Sequence, residues 1–387
     1  MHIGIAGPIS FSQLDHLLDN PYNIYPKGLG GTIINNLILE LWNRGHKLSI
    51  YSLDKSVTSE VIFKGERIKI FLGPYRKQHR ARDFFKNERI ILHKFMLEDN
   101  AAIINAHWTY EFALPTIKSG KPHLITCHDS PLRILNYQPD FYRFIRLLMS
   151  FMVFKKGINF SAVSPYIAKE LRFFISRPIN IIPNFAPASI FNTKFIKIHN
   201  LIPQIVTINN GWGRLKNPKV ILLSFALVKK AIPEAELTMY GYDFGPGEIA
   251  NQWAIKNNLA DGVSFKGYTP YQIVQDNLAQ FDLLLHTSLE ESFGMTIAEA
   301  MALGIPVIGG KKSGAVPWLL DEGKAGLLVD VTSPNEIAES VISLLNNKKL
   351  SVELSGKAKI LARRKFHPDV VISQYEKIFE KILDSQN

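Results

Sequence analysis

Short apolar runs alternate along this chain with longer segments whose apolar residues recur at helical spacing. The first run, Ile3–Ile5, predicts a strand, and the loop after it closes on Gly28-Leu-Gly-Gly31. From Thr32 to Arg44, Ile33, Leu37 and Leu41 share one helical face, and Gly45 stops the helix. His46–Tyr51, Ala101–Ala106 and His123–Cys127 predict further short buried strands. Beyond Ile181-Ile-Pro-Asn184 the chain turns polar and irregular through Thr193–Lys197, and the alternation restarts at Ile205–Ile208. The second half predicts strands 205–208, 236–240, 263–266, 282–285 and 306–308, with helices 217–231, 247–257, 271–279 and 294–303 between them. A last helix, Pro368–Leu383, carries Val370, Val371, Tyr375, Ile378 and Phe379 at suitable spacing.

This alternation is the mark of parallel sheets covered by helices, an α/β fold. At 387 residues the chain is long for one core, so two domains are expected. The pattern places a first domain at 1–190, a linker near 185–203, a second domain at 204–365, and a C-terminal helix at 366–387 returning toward the first. Open parallel sheets bind ligands at the carboxyl ends of their strands. Two similar halves are therefore expected to share a ligand cleft.

Composition narrows the class. The chain is 46% hydrophobic and 20% charged, as in a soluble globular protein. No run approaches the roughly 18 apolar residues of a membrane span. Met1–Gly7 has neither a basic start nor a long apolar core, so it reads as a strand and not as a signal peptide. One cysteine, Cys127, excludes an internal disulfide and any multi-cysteine metal site, and a cytoplasmic protein is the simplest expectation. The net charge of +11 is uneven: residues 1–190 hold 24 Lys+Arg against 14 Asp+Glu, and the remainder 21 against 20. The basic half is expected to face a phosphorylated substrate, an anionic lipid or a nucleic acid. No finger spacing, basic-leucine heptad or ribonucleoprotein pattern supports the last, so no nucleic-acid partner is expected.

The chemistry concentrates in Glu291-Ser-Phe-Gly-Met-Thr-Ile-Ala-Glu299. Gly294 sits at a helix start, where free N–H groups and a partial positive charge favour phosphate. Glu291 lies on the preceding loop. Glu299 lies five residues along the helix, about 7.5 Å at the helical rise. A carboxylate accepts two hydrogen bonds and so matches a vicinal diol. A nucleotide sugar, with hydroxyls at both ends and phosphate between, suits that order. The plainer reading, a solvated loop glutamate and a helix glutamate near a favourable dipole, stands beside it on spacing alone.

The wider segment Phe281–Val307 closely resembles the signature of retaining family-4 glycosyltransferases, which have the GT-B fold of two Rossmann-like domains. By that resemblance Glu291 contacts the donor sugar and Glu299 the ribose, while Phe293, Gly294, Met295 and Thr296 hold sugar and phosphate. Gly213-Arg-Leu-Lys-Asn-Pro-Lys219 is a second match, in which Arg214 and Lys219 stabilise the leaving diphosphate. Val220 stands where the family usually has glycine. Gly30 and Gly31 match a Gly-Gly pair whose backbone approaches phosphate or acceptor. His128, after strand 123–127, matches a histidine needed for transfer, and His107 is an acceptor-side candidate. Base contacts are expected from backbone near Gly267 and Tyr268. Ala162–Leu171 and Ile181–Asn184 match the closing elements of the first domain. Asn184-Phe-Ala-Pro187 and Pro317 depart from the common pattern.

These residues imply transfer of a sugar from a nucleoside-diphosphate sugar to a glycan, lipid-linked or small-molecule acceptor, in polysaccharide or glycoconjugate synthesis. No Asp-x-Asp motif is evident, so metal-independent transfer without a cofactor is expected, with the cations and the helix end neutralising the diphosphate. Two other classes remain open. An epimerase of this fold would turn over sugar nucleotide without acceptor, and a non-catalytic scaffold would bind nucleotide or membrane without turnover. Phe141–Lys156 is apolar with basic ends, and Arg76–Arg82 adds charge. Peripheral contact with an anionic membrane surface is expected from them. A buried helix with basic caps is the competing reading.

Overall fold

A computed structural model of the protein describes residues 1–19, 26–192 and 201–385. It divides into two compact units, one of residues 1–184 with 368–387 and one of residues 185–367. The irregular segment Thr193–Lys197 lies outside the described residues.

The first unit is built on eight strands: β1 His2–Ala6, β2 Lys47–Asp54, β3 Val61–Lys64, β4 Ile68–Pro74, β5 Ile103–His107, β6 His123–Cys127, β7 Phe160–Ala162 and β8 Ile179–Ile181. Their order is β3-β4-β2-β1-β5-β6-β7-β8. All pairs are parallel except β3–β4. β1, β5 and β6 are almost wholly buried, as near-continuous apolar runs should be in a sheet covered on both faces. The helix Thr32–Asn43 begins at Gly31, whose φ is +118°. A Cβ there would lie 2.2 Å from the Pro8 carbonyl oxygen, so only glycine fits. The last helix, Pro368–Asp384, belongs to this unit. Arg44 donates to Asp369 at 3.0 Å and to Glu376 at 2.8 Å, and His46 meets Glu376 at 2.8 Å. Val371, Ile372, Tyr375 and Phe379 are buried beneath.

The second unit has six parallel strands: β9 Gln204–Ile208, β10 Glu236–Tyr240, β11 Val263–Gly267, β12 Leu283–Leu285, β13 Val307–Gly310 and β14 Leu327–Val329. Their order is β11-β10-β9-β12-β13-β14. Strand order reverses between β9 and β12, and a doubly wound sheet opens its ligand crevice at such a switch point. One apolar core, including Ile221, Phe225, Leu283, Leu285 and Ile308, fixes the helix Pro218–Ala231 against these central strands. The short helix Ala188–Asn192, counted with the first half in the sequence pattern, falls in the second unit. The two α/β units with parallel sheets match the GT-B expectation.

Candidate functional site

The loops after β9 and β12 leave the sheet side by side at the switch point. They are stitched together. Leu289 N–H donates to Leu215 O at 2.8 Å, and Thr287 Oγ1 donates to Lys216 O at 3.3 Å. Asn217 follows with φ +54° and anchors the turn by donating from Nδ2 to Val331 O at 2.6 Å. That left-handed residue turns Lys216 back toward the neighbouring loop just before Pro218 opens its helix.

Lys216 Nζ consequently meets Glu291 Oε1 at 2.5 Å, and His286 Nε2 lies 3.2 Å from the same oxygen. Burial alone would raise the Glu291 pKa. The Lys216 charge and the His286 hydrogen bond outweigh it and hold the carboxyl well below the usual range. Glu291 is therefore a carboxylate at neutral pH, and His286 donates to it. Its backbone is also held, since Ala315 N–H donates to Glu291 O at 2.8 Å. Gly314, at φ +59°, permits this approach: a Cβ there would stand 2.3 Å from that oxygen.

Gly294 caps the helix Met295–Leu303 at φ +97° with no side-chain acceptor. The first-turn amides of Met295 and Thr296 thus form an anion-favouring end. Phe293 is buried beneath the cap, edge-on to Phe366 at 5.4 Å. Glu299 is buried one turn further along and accepts from Tyr271 Oη at 2.7 Å. Tyr271 also receives a hydrogen bond from Gln275. Burial dominates here and pushes Glu299 up to about 7, with the Tyr271 and Gln275 hydrogen bonds opposing. The two glutamates thus differ in kind, one firmly ionised and the other poised near neutrality. We expect Tyr271→Phe, which leaves Glu299 with one fewer donor, to cost about 1–2 kcal/mol of stability in chemical denaturation. An unchanged midpoint would show that the bond contributes nothing.

Gly267, at φ +67°, ends β11, and Tyr268 follows it. The Tyr268 ring stacks on Tyr242 with centroids 4.6 Å apart. Both rings are more than half exposed.

Arg214 of the same loop and Lys219 of the helix that follows are placed differently from Lys216. Arg214 is exposed and forms no ion pair among the described residues. Lys219 reaches over the indoles of Trp253 and Trp212, at 5.7 and 6.0 Å. Val220, the departure from glycine, packs against the core from within the helix. Lys216, His286 and Tyr271 were missed from sequence. Lys216 was legible as the middle cation of Gly213–Lys219, but its direction depends on the Asn217 turn.

In the first unit His107 and His128 come together at the ends of β5 and β6. Nδ1 of His107 lies 2.8 Å from Nε2 of His128, and the Trp108 ring is 4.4 Å from that of His128. Burial depresses both imidazoles, His128 to about 3 and His107 well below its ordinary value, so both are neutral at pH 7. Beside them Tyr110 Oη donates to Asp129 at 2.7 Å. Gly30 and Gly31 sit at the start of the helix after β1, with open space around Gly30. No group of three or more His, Cys, Asp or Glu among the described residues is placed to hold a metal ion.

Two family models match the chain: Glycosyltransferase Family 4 over residues 30–189 and Glycosyl transferases group 1 over residues 197–360. N-acetyl-alpha-D-glucosaminyl L-malate synthase of Bacillus anthracis is 26% identical over 277 residues, covering 68% of each chain. Sucrose-phosphate synthase from Thermosynechococcus elongatus shares the fold with a TM-score of 0.78 at 14% identity, over the whole of both chains. An Anabaena protein solved with UDP and glucose superposes with a TM-score of 0.69 at 16% identity, over 98% of this chain and 100% of its own.

Proposed function

Since the chain belongs to the group 1 and family 4 glycosyltransferases and is a transferase enzyme of GT-B fold, we propose that it moves a sugar from a nucleoside-diphosphate sugar to a hydroxyl of a glycan, lipid-linked or small-molecule acceptor, with retention. The observation that carries this reading is the ionised Glu291, gripped by Lys216 and His286 beside the uncapped helix end at Gly294. A fixed anion next to an anion-binding helix end suits a ligand with hydroxyls on one side of a diphosphate. The Anabaena neighbour solved with UDP and glucose supports the same ligand class.

In this scheme the diphosphate lies at the Met295 and Thr296 amides, Glu291 orients the sugar hydroxyls, and Glu299 receives the ribose diol. Backbone at Gly267 and Tyr268 meets the base. The bond from the anomeric carbon to phosphate oxygen breaks as the bond to the acceptor oxygen forms on the same face. The acceptor's proton passes to the leaving phosphate oxygen. Arg214, Lys216 and the helix end stabilise the charge that develops, so neither metal nor cofactor is required. Lys219, the cation that the resemblance assigns to the diphosphate, lies over the Trp253 and Trp212 rings. The first unit is assigned the acceptor, with His107 on the acceptor side and His128 as the histidine needed for transfer.

Thermal-shift screening against UDP-, GDP- and ADP-sugars tests the reading, because a donor stabilises the protein it binds by mass action. One nucleotide class is expected to raise the melting temperature, and that rise is expected to shrink in Glu299→Gln. No response to any donor, together with no transfer across an acceptor panel, would sink the proposal.

Peripheral contact with an anionic membrane is part of the same reading. No described helix is long and apolar enough to cross a membrane. Phe141–Lys156 buries Ile145, Met149 and Val153 but leaves Phe141 59% and Phe144 46% exposed, with Lys155 and Lys156 at its end. An apolar outer face with basic residues suits an interfacial helix at the cytoplasmic leaflet. Flotation with anionic liposomes at low salt is expected to carry the protein upward. Recovery wholly in the soluble fraction would end this part of the proposal.

A further inference from the structure

Four basic side chains line one cavity of the first unit, and no acid is among the residues that line it. The cavity holds about 280 Å³, with Lys86, Arg89, His93 and Lys118 around a floor of Leu114 and Pro115. It lies between the helix Lys86–Glu98 and the helix Ala113–Lys118, which pack together. Spacings of three and four residues set Lys86, Arg89 and His93 along one helical stripe.

The arrangement runs against the ordinary rules of helix charge. Lys86 and Arg89 stand in the first turn of a 13-residue helix, where the macrodipole disfavours cations, and Phe85 provides no side-chain cap. The nearby acids are already committed. Arg76 donates to Asp83 at 2.7 and 2.8 Å and to Glu88 at 2.7 and 2.9 Å. Asp83 does accept the Lys86 N–H, at a long 3.3 Å. Arg89 has a buried Nε with no partner among the described residues, and burial pulls its pKa down. Arg89 is the partly buried cation of the group; Asp83 and Glu88 act on it but are bonded to Arg76, and a bound anion would add the counter-charge they share out.

We propose that this cavity binds a phosphate mono- or diester group, at a site separate from the donor site. Arg89 offers a planar fork to two phosphate oxygens, while Lys86 and Lys118 act as mobile point charges on the others. The helix end adds its own field. Leu114 and Pro115, with the half-exposed Ile90, accommodate the carbon skeleton to which the phosphate is attached. The phosphate belongs to a soluble phosphorylated molecule or to a lipid headgroup, and the chemistry of recognition is common to both.

Calorimetric titration of the full-length protein with inorganic phosphate and with glycerol 3-phosphate tests the soluble source. Co-sedimentation with phosphatidylcholine vesicles, with and without phosphatidic acid, tests the lipid source. Binding in either arm is expected to weaken at least about tenfold in Lys118→Gln and in Arg89→Gln, the loss of one charged hydrogen bond, and to weaken with added salt. Lys118 ends its helix on the surface, so its variant keeps the fold should Arg89→Gln lose it. Lys357→Gln, in the second unit, serves as the control and is expected to bind as the parent does. Absence of binding to every probe, or equal affinity in parent, Lys118→Gln and a folded Arg89→Gln, overturns the site.

Discussion

Lys216→Met is expected to lower kcat by about two to three orders of magnitude, whereas Lys219→Met loses about fivefold or less. Lys216 is bonded to Glu291 at 2.5 Å inside the loop pair. Removing it leaves a poorly exposed carboxylate with only His286, and breaking such a pair costs about 3–5 kcal/mol. It also withdraws a positive charge from the leaving diphosphate. Lys219 sits over two indoles, and a cation–π contact of that kind is worth about 0.5–1 kcal/mol. The pH profile distinguishes a catalytic effect from a general loss of structure. Without Lys216 the Glu291 pKa rises, because burial is now less opposed. The acid limb of kcat/KM should therefore move to higher pH in Lys216→Met and stay in place in Lys219→Met. A larger loss in Lys219→Met would reverse the assignment of the diphosphate cation.

Glu299→Gln is expected to gain stability relative to the parent as pH rises. Burial raises the Glu299 pKa to about 7 from its ordinary 4.5. The folded protein therefore binds the proton more tightly than the unfolded chain between those values, and the slope of stability against pH is negative there. The contribution is fully present below about pH 4.5 and lost as pH passes 7. Its size follows from that shift, about 3 kcal/mol. Glutamine does not titrate, so the difference between parent and variant in denaturation experiments at low and high pH isolates it from the depressed histidines, whose effect has the opposite sign. Donor binding should run the other way: a diol is best received by the ionised carboxylate, so affinity rises through pH 7 with proton release. Glu299→Gln should raise donor KM more than it lowers kcat, because ribose contacts are shared by ground and transition states. A donor affinity that is flat across pH 6–8 would remove Glu299 from the ribose role.

The periodic elements from 205 to 308 were legible because their apolar positions repeat without interruption, and helices 218–231 and 295–303 start within a residue of the expected places, whereas the helices 334–346 and 348–366 were not read. Strands β3, β4, β7, β8 and β14 were not read; β3, β7, β8 and β14 are too short to carry a period, and β12, equally short, was read from the signature around it. The paired glutamates could be read by their place around Gly294. Which cation meets Glu291 could not, because that depends on one left-handed residue, Asn217, which sends Lys216 and Lys219 in different directions. The depth at which Glu299 is buried was hidden for a similar reason. Its environment comes from Tyr271, on a helix far away in sequence.

Because residues 368–384 complete the first unit, the chain leaves that unit after Asn184 and returns to it only at Pro368. During synthesis the first sheet must therefore wait through the whole of the second unit for its closing helix. Until then the face of Thr32–Asn43 lacks its clasp of Arg44 and His46 to Glu376, and Val371, Tyr375 and Phe379 have not yet covered their apolar ground. A nascent chain halted at residue 367 should thus be a client for chaperones and a target for proteases, however sound its strands.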